Sequence, residues 1–295
     1  MPRKLSSIKK RKTIGIALGG GASKGLAHIG VLKALNEARI PIDFIAGTSM
    51  GALVGGWYAM DGDISSMEDF ISALQKRERK SLAKISLKKG QPRIKNEFIM
   101  KIIERQFGSH RIENCKIPFK AVATNVKTGD EIILAKGKMA DAIKASTAIP
   151  IVFDPVEVNG KILADGGLVN PVPADVVRKM GADIVIAVDV STQWFDVSAF
   201  SANLLNLKNI ESAVYSLIGV FGYQIAKERL KRADMVLNPP VLGYRWLDFS
   251  EAEHIIAAGY KTAKDSYDKI CRLTKCKLPE KGALEEFWGF VLDRD

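Results

Sequence analysis

Gly47-Thr48-Ser49-Met50-Gly51 has the G-x-S-x-G pattern in which a serine hydroxyl can attack a carbonyl carbon. A strand-like apolar run, 42–46, precedes it, and a helical run, 51–60, follows. On such a strand-to-helix turn the serine oxygen is exposed, and flanking glycines leave room for a strained backbone. The start of the helix favours negative charge developing there. Ser49 is the candidate nucleophile, and Gly47 and Gly51 are the residues that permit the turn.

A second group, Gly19-Gly20-Gly21-Ala22-Ser23-Lys24-Gly25, lies between the first strand-like run and the first helical one. Backbone N–H groups in such a loop can converge on an anion. A P-loop needs Lys and Ser or Thr after its last glycine, yet Leu26 and Ala27 follow Gly25. A dinucleotide fingerprint counted from Gly19 needs glycine where Lys24 stands. The third reading is an oxyanion hole, with the N–H groups of Gly20, Gly21 and Ala22 as donors, each able to contribute ~3 kcal/mol to the rate. Gly19 and Gly25 shape the loop. Lys24 either orients it and adds positive charge, or is an exposed first-turn lysine; Ser23 is a candidate helix N-cap.

Asp165-Gly166-Gly167 supplies a carboxylate at the end of a strand, with two glycines that allow a sharp turn. By itself this is an ordinary turn sequence, but a serine nucleophile needs a base. The chain has three histidines, His28, His110 and His254. The first sits in a helical pattern as a packed side chain, the second in a basic turn, and the third in a late helix rather than the late loop of a Ser–His–Asp enzyme. A Ser49–Asp165 dyad is the simpler arrangement.

The positioning elements follow from periodicity. Strand-like runs at 13–18, 44–46, 119–125, 131–134, 161–164 and 184–188 alternate with helical patterns at 23–38, 50–60, 66–77, 95–107, 139–146, 173–180, 211–231 and 250–273. That alternation predicts an α/β fold with a mainly parallel sheet. With 295 residues, 47% of them hydrophobic, the chain can bury one elaborated domain. We place it at 13–275, with a helical insertion at about 62–112, a basic segment at 1–12 and a C-terminal extension at 276–295. The 191–207 stretch reads as a loop tucked on the core or a flap over an acyl groove.

No apolar run is long enough to predict a transmembrane helix. The basic start leads into a strand rather than a secretory leader, so no signal peptide and a cytoplasmic location are expected. The net charge of +11, concentrated at 1–12 and 76–101, fits peripheral contact with an anionic membrane surface. No recognition motif accompanies it, so no nucleic-acid partner is expected. Cys115, Cys271 and Cys276 are an odd set without a histidine cluster, predicting free thiols and no metal. Nothing in the pattern indicates an oligomeric state.

Taken together, these motifs resemble the patatin-like phospholipase family, with a glycine-rich oxyanion loop, a G-x-S-x-G elbow and an Asp-Gly-Gly acid in that order. The stretch 145–150 with Phe153 and Pro155, the pair Asn170 and Pro171, and the strand at 181–190 are also similar to the family, as is the tail from 246–249 onward to its bacterial members. Lys24 stands where many members have Arg, which keeps the charge and loses the bidentate fork. The resemblance implies a three-layer α/β/α fold, a Ser49–Asp165 dyad, and hydrolysis of phospholipid or other lipid acyl esters, as a phospholipase A or esterase, without metal or cofactor. The alternative is a membrane- or partner-binding protein with a vestigial site.

Overall fold

The computed structural model describes residues 11–67, 71, 100, 101, 103–150, 152–191, 210–244 (backbone alone to 218) and 249–276. Most of the basic segment 1–12, most of the basic block 76–101, the 191–207 loop and nearly all of the C-terminal extension lie outside these residues. So does the greater part of the 62–112 insertion.

Apolar β-branched runs make the centre. β1 (Ile14–Leu18) and β7 (Ile184–Val188) are buried at every position, as parallel strands covered on both faces must be. They pair in parallel with each other, and β1 pairs in parallel with β2 (Phe44–Thr48). β3 (Phe119–Asn125) extends the parallel set beyond β2, and β8 (Met235–Leu237) extends it beyond β7. β4 (Glu131–Leu134), β5 (Val156–Val158) and β6 (Lys161–Asp165) join by antiparallel pairing. The sheet is thus mixed, with the parallel strands running from β3 to the β8 edge and the antiparallel ones at the other end.

Helices cover both faces. α1 (Ala27–Glu37) and α2 (Met50–Asp61) pack with Ile14, Ile16 and Leu18 into the larger core. α3 (Met139–Ser146) and α6 (Ala252–Asp265) join the same core. On the opposite face Ala17, Ala46 and Val122 meet Val176 and Val177 of α4 (Ala174–Lys179) and Ala226 of α5 (Ile210–Leu230). This is the three-layer α/β/α arrangement. α1 and α6 touch backbone to backbone: a Cβ on Gly30 would lie 1.9 Å from the Ile256 carbonyl oxygen, and one on Gly259 1.9 Å from that of Ala27.

One strand decides the geometry of the site. β3 pairs with β2 through residues 119–122, with β6 through 123–125, and with β4 through 121–124. A strand has two edges, and β4 overlaps both other partners, so β2 and β6 share the remaining edge. They run in opposite directions. Their C-terminal ends therefore meet head to head, Thr48 opposite Val122 and Asp165 opposite Ala123. Ser49 and Asp165 arrive together for that reason.

Three expectations are corrected. The helix foreseen from Ser23 begins with a 3₁₀ turn, Ala22–Leu26, and becomes α-helical only at Ala27. Ser23 is buried inside that turn and Gly21 is its N-cap, because the glycine loop tightens into the first turn. The helix foreseen at 250–273 is two, α6 and α7 (Tyr267–Thr274), separated at Ser266, where the Ala263 and Lys264 carbonyls are capped by one N–H.

Candidate active site

Ser49 follows β2 directly and is the N-cap of α2, with φ 54 and ψ −123. A non-glycine residue at positive φ is strained by steric contact with its own side chain, at a cost of order 1–3 kcal/mol. Surrounding contacts enforce it. A Cβ on Gly51 would lie 2.1 Å from the Leu18 carbonyl oxygen, so only glycine lets α2 close onto the end of β1. The Ser49 N–H donates to Ser146 Oγ at 3.0 Å, and that hydroxyl donates to the Val122 carbonyl at 2.6 Å. N-cap serines usually spend their hydroxyl on the first turn. Here the side chain makes no capping bond, and its oxygen is left for other work.

Asp165 ends β6 and is almost wholly buried. Its N–H donates to the Ala148 carbonyl at 2.9 Å. Oδ1 accepts from the Gly167 N–H at 2.7 Å. Oδ2 is buried with no hydrogen-bond partner among the described residues. Burial raises the carboxyl to about pKa 6, against the opposing pull of the Ser49 hydroxyl and the Gly167 N–H. Ser49 is thus close enough to favour the carboxylate, without a fully formed hydrogen bond to Oδ2. Nucleophile–base contacts are often this loose until substrate binds.

The glycine loop passes close to Ser49, with a Cβ on Gly20 falling 3.3 Å from that of Ser49. Its three candidate donors are not equivalent. The Gly20 N–H is engaged by the Pro171 carbonyl at 2.9 Å, which removes it from the donor set and makes it part of the loop's anchorage. The N–H groups of Gly21 and Ala22 have no acceptor among the described residues, and Ala22 is itself held at φ 45. Gly19 donates to the Val188 carbonyl at 3.0 Å. Lys24 is buried rather than exposed; Nζ reaches the Leu242 carbonyl at 3.5 Å, and burial lowers its pKa. Gly25 lies under Met50, whose side chain would collide with a Cβ there.

Gly166 sits against the Val122 carbonyl, and Gly167 supplies the N–H that grips Asp165. The next residues tie the motifs to each other. The Asn170 carbonyl accepts from Thr48 Oγ1 at 2.8 Å, and Pro171 holds Gly20 as described. The fully buried Asn170 side chain donates to Glu131 at 2.5 Å and Asp175 at 2.8 Å. Burial pushes Asp175 up, but Asn170, Lys179 and Arg229 outweigh it and hold that carboxyl below its usual range.

The three histidines make their contacts elsewhere. His28 is fully buried, with Nε2 2.7 Å from the Gly19 carbonyl oxygen. His254 is exposed and paired with Glu251, and His110 is exposed beside Ser109. Sequence reasoning had not assigned roles to Ser146, to the Asn170 and Pro171 carbonyls, or to the Met50 N–H at the start of α2. The last is a further candidate donor, since the residue after an elbow nucleophile commonly donates to the oxyanion. A cleft of about 760 Å³ is lined by Thr124, Asn125, Ala148, Phe153, Ala164 and Leu168 among others; Ala148 and Ala164 adjoin Asp165, but neither Asp165 nor Ser49 lines it.

A family model described as patatin-like phospholipase matches residues 16–178, more than half the chain, including the glycine loop, the Ser49 elbow and Asp165-Gly166-Gly167. The chain belongs to the patatin-like phospholipase family. It is 28% identical to the lysophospholipase nte1 of Aspergillus fumigatus, over 92% of this chain and 19% of that protein. Patatin-like phospholipase domain-containing protein 7 of Rattus norvegicus is 30% identical, over 90% of this chain and 21% of its own length. An uncharacterized NTE family protein of Mycobacterium bovis is 38% identical, over 60% of this chain and 49% of its own. The chain spans about a fifth of the length of the first two relatives. Among solved structures, VipD from Legionella pneumophila shares the fold, with a TM-score of 0.50 at 14% identity, covering 88% of this chain and 67% of that one. No helix among the described residues is long and apolar enough to cross a membrane.

Proposed function

We propose that this patatin-like domain is a lipid acyl hydrolase of phospholipase A or esterase type, with Ser49 as nucleophile and Asp165 as its base. The observation that carries the proposal is the strained, uncapped Ser49 beside a buried carboxylate whose pKa is raised toward neutrality. Asp165 takes the hydroxyl proton as Ser49 Oγ bonds to the ester carbonyl carbon. The carbonyl π bond opens, and its oxygen becomes an oxyanion facing the N–H groups of Gly21, Ala22 and Met50. Collapse expels the alcohol, which receives the proton from Asp165, and leaves an acyl-Ser49 ester. Water, deprotonated by Asp165, repeats the sequence and releases the fatty acid. The apolar part of the cleft, Val152, Phe153 and Leu168, adjoins Asp165 through Ala148 and Ala164 and suits part of an acyl chain. Lipid-ester relatives and the net charge of +11 support a domain working peripherally at an anionic lipid surface.

A fluorophosphonate probe should label the wild-type protein at Ser49, and Ser49→Ala should lose both labelling and hydrolysis of lysophospholipid and short-chain p-nitrophenyl esters. Hydrolysis persisting in Ser49→Ala, or salt-sensitive vesicle binding with no turnover of any lipid ester in the wild type, refutes the assignment. The base also sets a pH dependence. Only the carboxylate can accept the proton, and burial puts its pKa at about 6. The kcat/KM should therefore be flat above pH 7 and fall about tenfold per unit below pH 6. An inflection near the ordinary carboxylate range of about 4 would remove Asp165 from this role.

A further inference from the structure

A run of three glycines has the widest conformational choice a chain can have. The donors of an oxyanion hole must nevertheless point in one direction before the oxyanion forms, because the benefit comes from dipoles that need no reorientation. Something outside Gly19–Gly21 has to fix this loop, and the hydrogen bonds identify it. The Gly19 carbonyl and the Gly20 N–H belong to one peptide unit. Pro171 holds the N–H end at 2.9 Å, and His28 holds the carbonyl end at 2.7 Å. That peptide plane is gripped from both sides, and the free N–H groups of Gly21 and Ala22 follow it directly.

We propose that His28 is a positioning residue for the oxyanion loop, orienting the Gly21 and Ala22 donors through its bond to the Gly19 carbonyl. A carbonyl only accepts, so Nε2 carries the proton and Nδ1 is bare. Nδ1 has no partner among the described residues and is fully buried. A histidine kept only to fill space would be better replaced by an apolar side chain, since an unpaired buried nitrogen is costly. Its retained feature is the one N–H aimed at Gly19. Burial lowers its pKa to about 4 against weaker opposition from the Gly19 bond and Asp189, so the ring stays neutral through the working pH range. A neutral donor leaves the hole's field to the peptide dipoles.

The inference rests on the acyl-hydrolase reading, and the experiment separates the two. His28→Gln places an amide N–H where Nε2 stood; His28→Asn is equally polar but too short to reach; His28→Leu removes the donor. Hydrolysis of a p-nitrophenyl ester is measured for each, with kcat expressed per site titrated by fluorophosphonate so that unfolded protein does not count. Asn and Leu should lose roughly 10- to 100-fold in kcat with KM within about twofold, because the donors act on the transition state. Gln should recover to within about fivefold of wild type. A wild type that turns over while folded Asn or Leu variants keep kcat within about threefold overturns the role of His28. So does a Gln variant as slow as the other two. A wild type with no turnover instead overturns the hydrolase reading itself.

Discussion

Replacing Asp165 with Asn should lower kcat/KM by about 10³- to 10⁴-fold, the loss of a general base, and at the same time make the protein more stable at pH 7. The second effect follows from the same burial as the first. Asp165 is raised from 3.8 to about 6, so the folded state binds its proton more tightly than the unfolded state does. Its favourable contribution is complete below pH 4 and is lost as pH rises through 6. At pH 7 the wild type therefore carries a penalty of up to roughly 3 kcal/mol for a buried carboxylate. An amide keeps the acceptor for Gly167 and removes the charge. Thermal melting at pH 7 should show a Tm several degrees above wild type. The gap should close between pH 6 and pH 4, where Asp165 takes up its proton.

Below pH 6.5 the Asn variant should weaken more steeply than the wild type. His28 is depressed to about 4, so its contribution is complete above pH 6.5 and lost as pH falls through 4. In the wild type the two groups oppose each other across this window; in the variant the His28 loss is no longer offset by Asp165. A variant no more stable than wild type at pH 7 would show that Asp165 is not a strained charge. The stability of a base kept in a dry site would then need another explanation.

The second large effect lies away from the chemistry. Gly30→Ala or Gly259→Ala puts a methyl group 1.9 Å from a carbonyl oxygen of the facing helix. Neither contact can be relieved by turning a side chain, because both partners are backbone. The two helices must separate, opening the core beneath α1. We expect a loss of at least about 3 kcal/mol for either change, at the severe end for a single substitution. Urea unfolding would read it as a lower midpoint. Gly219→Ala is the control, since that position in α5 has nothing among the described residues within 4 Å of the added Cβ. There the better helix former should be neutral or slightly stabilising. Equal midpoints for Gly30→Ala and the wild type would mean that α1 and α6 are not in this close contact.

The chemistry-bearing motifs were legible because each depends on local geometry. Gly47 and Gly51 around Ser49 declare a turn that nothing bulkier fits, and runs such as Ile184-Val185-Ile186-Ala187-Val188 declare a strand buried on both faces. What escaped the sequence is what depends on pairing across the chain. β5 and β8 have three residues each, too few to show a period of two. Gly20 looked like its neighbours until Pro171, from a distant segment, was found on its N–H. Gly259 has no local signature either: in a helix it reads as a weak position, and only Ala27 opposite it gives a reason. The break at Ser266 escaped because both flanking stretches keep a helical period.

The head-to-head meeting of β2 and β6 on one edge of β3 also bears on when the protein becomes active. Ser49 is seated early in the chain, by strands that can pair once β3 has been made. Asp165 reaches it only when β6 has zipped onto the same edge, alongside β3 residues already committed to β2 and β4. In the proposed mechanism a chain emerging from the ribosome therefore holds a formed elbow and no base. On that reading the nascent chain cannot turn over the lipids around it before β6 pairs with β3, so turnover in a refolding experiment should never precede that pairing.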